Sequence, residues 1–116
     1  MFRKKPDLDE EGFVATAVPA AGLAEGEMLP IKIGKRRLVL ARVTGEVVAF
    51  DDTCPHGAAS LATGGLRDEL VCCPDHGYCF NMIDGSLAWP ADEPYRLRRF
   101  ATKIVNGLVR VHPEPL

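Results

Sequence analysis

Two mixed pairs of metal-ligating residues stand out in this chain: Cys54 with His56, and Cys73 with His76, in the spacing Cys-x-His-x16-Cys-x2-His. Thiolate and imidazole are the donors of zinc sites and of iron–sulfur centres. A structural zinc site usually draws like ligands from each loop, as Cys-x2-4-Cys followed by His-x3-5-His, and closes them around one tetrahedral ion. Here each loop offers one Cys and one His. Crossing the ligand types in this way suits a [2Fe–2S] centre, with one iron held by the two cysteines and the other by the two histidines. A zinc-stabilised binding module without a redox role is the competing reading. Pro55 and Pro74 follow the two cysteines and fix one backbone dihedral each, while Gly57 and Gly77 follow the histidines and permit positive φ and close approach of the main chain. Such loops can aim backbone N–H groups at sulfur, and those bonds, with burial and net charge, set a reduction potential.

The segments Cys54-Pro55-His56-Gly57-Ala58 and Cys73-Pro74-Asp75-His76-Gly77-Tyr78-Cys79-Phe80 resemble the paired cluster boxes of Rieske proteins. The resemblance runs from about Val18 to His112. It implies an all-β Rieske fold, an antiparallel β-sandwich base with a smaller cluster-binding subdomain at one tip, and Cys54, His56, Cys73 and His76 as the ligands of one Rieske-type [2Fe–2S] cluster. Ala88-Trp89-Pro90-Ala91 is similar to the proline loop that covers the cluster in such ferredoxins. In the family the two histidines lie at the exposed tip, which makes their rings the electron exit. Respiratory Rieske proteins join their two loops by an extra cysteine in each, and the first loop here, with Gly57, Ala58, Ala59 and Ser60, has none to offer. They also carry a Ser after the second His-Gly, where this chain has Tyr78. Fewer hydrogen bonds to sulfide stabilise the reduced state less, so the expected potential lies toward the low end of the range, on the order of −150 mV.

Without a nucleotide fingerprint such as Gly-x-Gly-x-x-Gly, a second catalytic site or a membrane anchor, the chain looks like the soluble ferredoxin component of bacterial ring-hydroxylating oxygenase systems. That resemblance implies an electron carrier, not itself an enzyme, between an NAD(P)H-dependent flavoprotein reductase and a terminal oxygenase. The small Rieske subunit of an NAD(P)H-dependent nitrite reductase is the alternative within electron transfer.

A chain of 116 residues supports one domain, and 47% apolar with 26% charged residues is ordinary for a globular protein. The net charge of −2 supplies no general attraction to nucleic acid. No apolar run reaches the roughly 20 residues of a membrane span, and the basic start Met1-Phe2-Arg3-Lys4-Lys5-Pro6 lacks an apolar stretch behind it. A cytoplasmic monomer is expected. Cys72 and Cys79 fall outside the ligand pattern; small buried thiols are the expectation, with a bridge between them as the alternative. Lys35-Arg36-Arg37 and Arg96, Arg98 and Arg99 form two basic groups, read as solvated faces unless one of them flanks the cluster tip.

The elements that must position the boxes are short strands punctuated by turns. Residues 1–12 are charged and aperiodic and read as a loosely held terminus, with 13–116 as the domain and the cluster-binding part at about 53–80 plus 88–91. Phe13 to Val18, Met28 to Ile33, Arg37 to Val43 and Val47 to Asp51 read as strands, the last running straight into the first box. Thr63-Gly64-Gly65 and Glu69 to Cys72 form the return that carries the second box back beside the first. Phe80 to Met82 and Ser86 to Trp89 flank a turn at Ile83-Asp84-Gly85. Leu97 to Val105 turns at Asn106-Gly107 into Leu108 to Val111, and an apolar parity change between Leu97 and Phe100 suggests a bulge near Arg98-Arg99. His112 reads as an exposed strand-end residue.

Overall fold

Ten strands organise residues 8–116, the part of the chain that this computed structural model describes. They are β1 (Val14–Pro19), β2 (Met28–Ile33), β3 (Arg36–Val43), β4 (Glu46–Asp51), β5 (Gly65–Arg67), β6 (Leu70–Cys72), β7 (Cys79–Asn81), β8 (Leu87–Trp89), β9 (Arg99–Val105) and β10 (Leu108–Pro115). Among the described residues, no helix is long and apolar enough to cross a membrane. The hairpins turn where the turn residues stand. Thr44-Gly45 and Asn106-Gly107 both take positive φ at each central residue, 49° and 82° in the first and 52° and 79° in the second. That is the two-residue type I′ geometry, whose twist matches that of the strands it joins.

Two antiparallel sheets result, one of six strands in the order β1-β10-β9-β4-β3-β2 and one of four in the order β5-β6-β7-β8. The larger sheet curls until its edge strands β1 and β2 approach each other. Inside the curl, Leu38, Leu40, Val47, Ala49, Phe100, Val109 and Val111 make the first core. The alternate residues Val39, Ala41, Val43 and Phe50 point the other way and meet Leu61, Val71, Phe80, Met82 and Leu97 beneath the smaller sheet. Strands β3 and β4 are thus buried on both faces, which is why Leu38 to Ala41 reads as an unbroken apolar run.

The same two-faced burial corrects the bulge expected near Arg98-Arg99. Leu97 enters the second core and Phe100 the first, so their odd separation places them on opposite sides of the sheet, and β4 and β9 pair in unbroken register through Phe50↔Arg99 and Ala49↔Phe100. Strand β10 runs to Pro115, beyond the expected end at Val111. His112 is therefore not an exposed strand end. It is half-buried within β10, edge-on to Phe13 with ring centroids 5.2 Å apart, and its Nδ1 accepts the Glu114 N–H at 3.2 Å.

Of the expected loose terminus, residues 1–7 lie outside the described residues. Residues 8–12 are held. Leu8 bridges to Val14, and the Asp9 carboxylate meets Lys103 at 2.9 Å and Arg110 at 2.8 Å, with Glu11 also paired to Lys103. The acidic run finds its counter-charges on β9 and β10, which periodicity could not disclose. Those cations, with backbone N–H groups, hold Asp9 well below the usual carboxylate range, and Glu11 and then Asp9 raise Lys103.

Candidate metal centre

The two loops that carry the candidate ligands leave adjacent elements. The first follows β4 directly, and the second joins β6 to β7. The β5–β6 hairpin lies between them, so the return inferred from the sixteen-residue gap is present. Each loop is closed by the same bond at the same offset: Cys54 N–H donates to Ala59 C=O at 2.9 Å and Cys73 N–H to Tyr78 C=O at 2.7 Å. One residue further out on each side, Thr53 bridges to Ser60 in the first loop, and Cys72 pairs with Cys79 across β6 and β7 in the second. The expectation of two free thiols at Cys72 and Cys79 is corrected here. Directly opposed on neighbouring strands, they form a disulfide. The positive φ expected at Gly57 falls instead on Ala58 (26°), whereas in the second loop His76 (67°) and Gly77 (71°) both adopt it.

Cys54 and Cys73 are free and buried, at 2% and 3% exposure, while His56 is half-buried and His76 exposed. The thiols therefore form the floor of the site and the imidazoles its rim. Burial pushes the Cys73 thiol up to about 11; the Asp75 N–H opposes this, and the adjacent Cys54 thiol adds to it. Both thiols must lose a proton to ligate, so metal loading releases protons. At the rim, the His56 and His76 rings stand edge to face with centroids 5.4 Å apart. His56 is fixed by the Tyr78 ring stacked on it at 3.8 Å and by Tyr95 edge-on at 5.5 Å.

Two observations bear on what this nest can hold. The Nδ1 of His56 is buried and has no hydrogen-bond partner, whereas buried ring nitrogens normally do. A lone pair aimed at a metal meets that description. Second, the buried Cys54 and Cys73 thiols are neighbours, and the His56 and His76 rings are neighbours with centroids 5.4 Å apart. The donors come as a thiol pair and an imidazole pair, an arrangement that fits two irons better than one tetrahedral zinc.

The supporting residues were not legible from the ligand spacing. Asp52, 3% exposed and next to the first box, accepts from Ser60 Oγ at 2.8 Å and from the Ala62 N–H at 2.9 Å, with Arg37 Nε 3.8 Å away. It pins the descending arm of the first loop. The Tyr78 hydroxyl donates to Glu93 at 2.8 Å, and that carboxylate pushes it up to about 12. Trp89 reaches the second loop, with its ring 6.4 Å from that of Tyr78 and 4.0 Å from where a side chain on Gly77 would begin, and it is 57% exposed. The Trp89–Pro90 peptide is cis. Of the two basic groups, Arg36 and Arg37 turn to Pro113 C=O and Asp52, while Arg96 and Arg98 line an open groove with Pro55, His56 and Gly57. Arg99 donates to Ile83 C=O at 2.5 Å and lines a different groove.

A small two-sheet β-domain that brings two mixed Cys/His loops together at one end defines a class of metal-centre protein, and comparison with known proteins gives its family. Residues 14–105 match the Rieske [2Fe-2S] domain. Mouse "Apoptosis-inducing factor 3" is 37% identical over 98 residues, covering 84% of this chain, which spans only 16% of that protein's length. "Ferredoxin CarAc" of Metapseudomonas resinovorans is 40% identical over 85 residues, covering 72% of this chain and 77% of its own. Among solved structures, one described as a complex of reduced oxygenase and oxidized ferredoxin in carbazole 1,9a-dioxygenase superposes with a TM-score of 0.81 at 29% identity, covering 92% of this chain and 98% of the other. The chain belongs to the Rieske [2Fe-2S] domain family, and one Rieske-type [2Fe–2S] cluster is its cofactor.

Proposed function

We propose that Cys54 and Cys73 hold one iron and His56 and His76 the other, and that the chain is a one-electron carrier. It takes electrons from an NAD(P)H-dependent flavoprotein reductase and delivers them to a terminal oxygenase, as a monomer in the cytoplasm. The observation that carries this reading is the layering of the site: a buried thiol pair behind an imidazole pair at the rim, with His56 Nδ1 desolvated and unpaired. When bound, the cluster supplies reversible uptake of a single electron at irons whose coordination is filled, leaving no position for substrate. The protein's part is to present the cluster. Its cysteines anchor within the second core, Tyr78 and Tyr95 fix the His56 ring, and exposed His76 stands where a partner can approach. Fold similarity to the ferredoxin–oxygenase complex and sequence similarity to Ferredoxin CarAc support the oxygenase as acceptor.

The purified protein is expected to be coloured and to bleach on one-electron reduction, and alanine at any one of Cys54, His56, Cys73 or His76 is expected to remove the chromophore. A colourless protein with one stoichiometric zinc would overturn the reading. Reconstitution with a flavoprotein reductase and an oxygenase should then give NAD(P)H-dependent turnover only when the loaded chain is present.

A further inference from the structure

We propose that Cys72 and Cys79 are a second redox site: a two-electron clasp that tightens the second ligand loop when oxidised and loosens it when reduced. The proposal deepens the reading that Cys73 and His76 hold iron, because the clasp brackets those two residues.

The two ligand loops are built alike, and the comparison isolates what the clasp adds. In both, the ligand cysteine's N–H bonds to the carbonyl five positions on, from Cys54 to Ala59 and from Cys73 to Tyr78. In both, the residue before the cysteine pairs with the residue six positions after it, Thr53 with Ser60 and Cys72 with Cys79. The outer closure of the first loop is a backbone bridge, reinforced by the buried Asp52 carboxylate through Ser60 Oγ and Ala62 N–H. The equivalent position in the second loop carries the disulfide. Both loops are thus closed by backbone hydrogen bonds that persist in any redox condition, and the second alone carries in addition a bond that a reductant opens.

Accessibility separates the four cysteines. Cys72 and Cys79 are half-buried at the neck of the loop, whereas Cys54 and Cys73 are buried. A small dithiol can attack one sulfur of the bridge as thiolate and form a mixed disulfide; its second thiol then resolves that bond. Two electrons and two protons pass to Cys72 and Cys79, and the reagent leaves as its own disulfide. A disulfide restrains the open states of the segment it closes, here the six residues from Cys73 to Tyr78. Opening it leaves the inner Cys73–Tyr78 hydrogen bond and the β6–β7 pairing to hold the loop. Where glutathione and thioredoxin keep thiols reduced, the disulfides that do occur are mostly transient, catalytic or redox-sensing.

The test uses the full chain purified in air, with and without dithiothreitol. Alkylation followed by peptide mass analysis should leave Cys72 and Cys79 unlabelled before reduction and label both afterwards, with Cys54 and Cys73 protected. Amide hydrogen exchange across 73–78 should rise on reduction while that across 54–59 stays level. Loss of colour to an iron chelator should accelerate on the order of tenfold. The double variant Cys72→Ser/Cys79→Ser should match the reduced protein and be indifferent to dithiothreitol. Labelling without reductant, or unchanged exchange and chelator rates after reduction, would overturn the proposal. If the variant fails to fold, the wild-type comparison on one sample still decides. A chain that binds no cluster would instead sink the ligand reading, while labelling and exchange would still report the clasp.

Discussion

Tyr78 shows how one side chain can serve a site without contributing a donor to it. Its ring lies on His56 at 3.8 Å, and its hydroxyl is committed to Glu93 at 2.8 Å. With that hydroxyl donated to a carboxylate, a potential toward the low end of the Rieske range, about −150 mV, is expected. Tyr78→Phe keeps the stacked ring and removes only the hydroxyl. It is therefore expected to shift the midpoint by less than about 60 mV, the one-electron equivalent of a tenfold change in equilibrium. A redox titration of both proteins checks this, and a larger shift would mean that the hydroxyl acts on the cluster. At this scale the candidate ligands and their spacing stand out in the sequence because chemistry constrains which residue types can bind a metal. Asp52, Tyr95 and Glu93 do not, because their partners are brought to them only by the fold.

Elements place these residues, and two of their junctions are decisive. Behind the second loop, a side chain on Gly64 would begin 2.0 Å from the Cys72 carbonyl oxygen and 3.1 Å from Pro74 Cδ. Gly64→Ala must therefore displace the backbone that delivers Cys73. It is expected to cost about 3 kcal/mol or more in denaturant unfolding and to lower iron content. Gly65→Ala is the control: nothing lies within 4 Å of that position, and its effect should stay within about 0.5 kcal/mol. The second junction is the N-terminal segment tied to β9 and β10 by Asp9. A carboxylate held below its usual range stabilises the fold above its unfolded value of about 3.9, and that contribution is lost as the pH falls toward its folded value. Asp9→Asn should thus lower the melting temperature at neutral pH, and the gap to wild type should narrow below about pH 4. A constant gap across the acid range would refute the assignment. The last hairpin was legible because Asn106-Gly107 leaves little choice of conformation. The bulge near Arg98-Arg99 was misread because one sheet face was assumed to be buried, and Leu97 and Phe100 serve two cores.

At the scale of the whole molecule, charge is distributed unevenly about the metal-bearing end. Arg96 and Arg98 are exposed and line the groove beside Pro55 and His56, where, among the described residues, Asp51 is the one carboxylate against two guanidinium groups, whereas Asp75 is exposed in the second loop and Glu93 receives the Tyr78 hydroxyl there. The first loop thus offers the positive side. If partners dock by that side, Arg98→Glu should slow electron transfer several-fold at low ionic strength and approach the wild-type rate at high salt. Arg99→Glu should not reproduce the effect, since Arg99 is engaged with Ile83 C=O at a separate groove. Stopped-flow reduction across a salt series distinguishes the two, and equal slowing at every ionic strength would dismiss steering. The sequence showed both basic groups but not which one stands by the metal site, because placement around a tip is a property of topology.

Strands β3 and β4 bear on how such a centre could be moved between proteins. Val39, Ala41 and Phe50 are the ground on which Cys54, Cys73 and the smaller sheet sit, and the reverse side of the same strands closes the other core. The metal-bearing end is not a detachable cassette. A transplant of residues 53–90 alone would leave behind half of its own interior, so a recipient scaffold must also supply two strands whose both faces are spoken for.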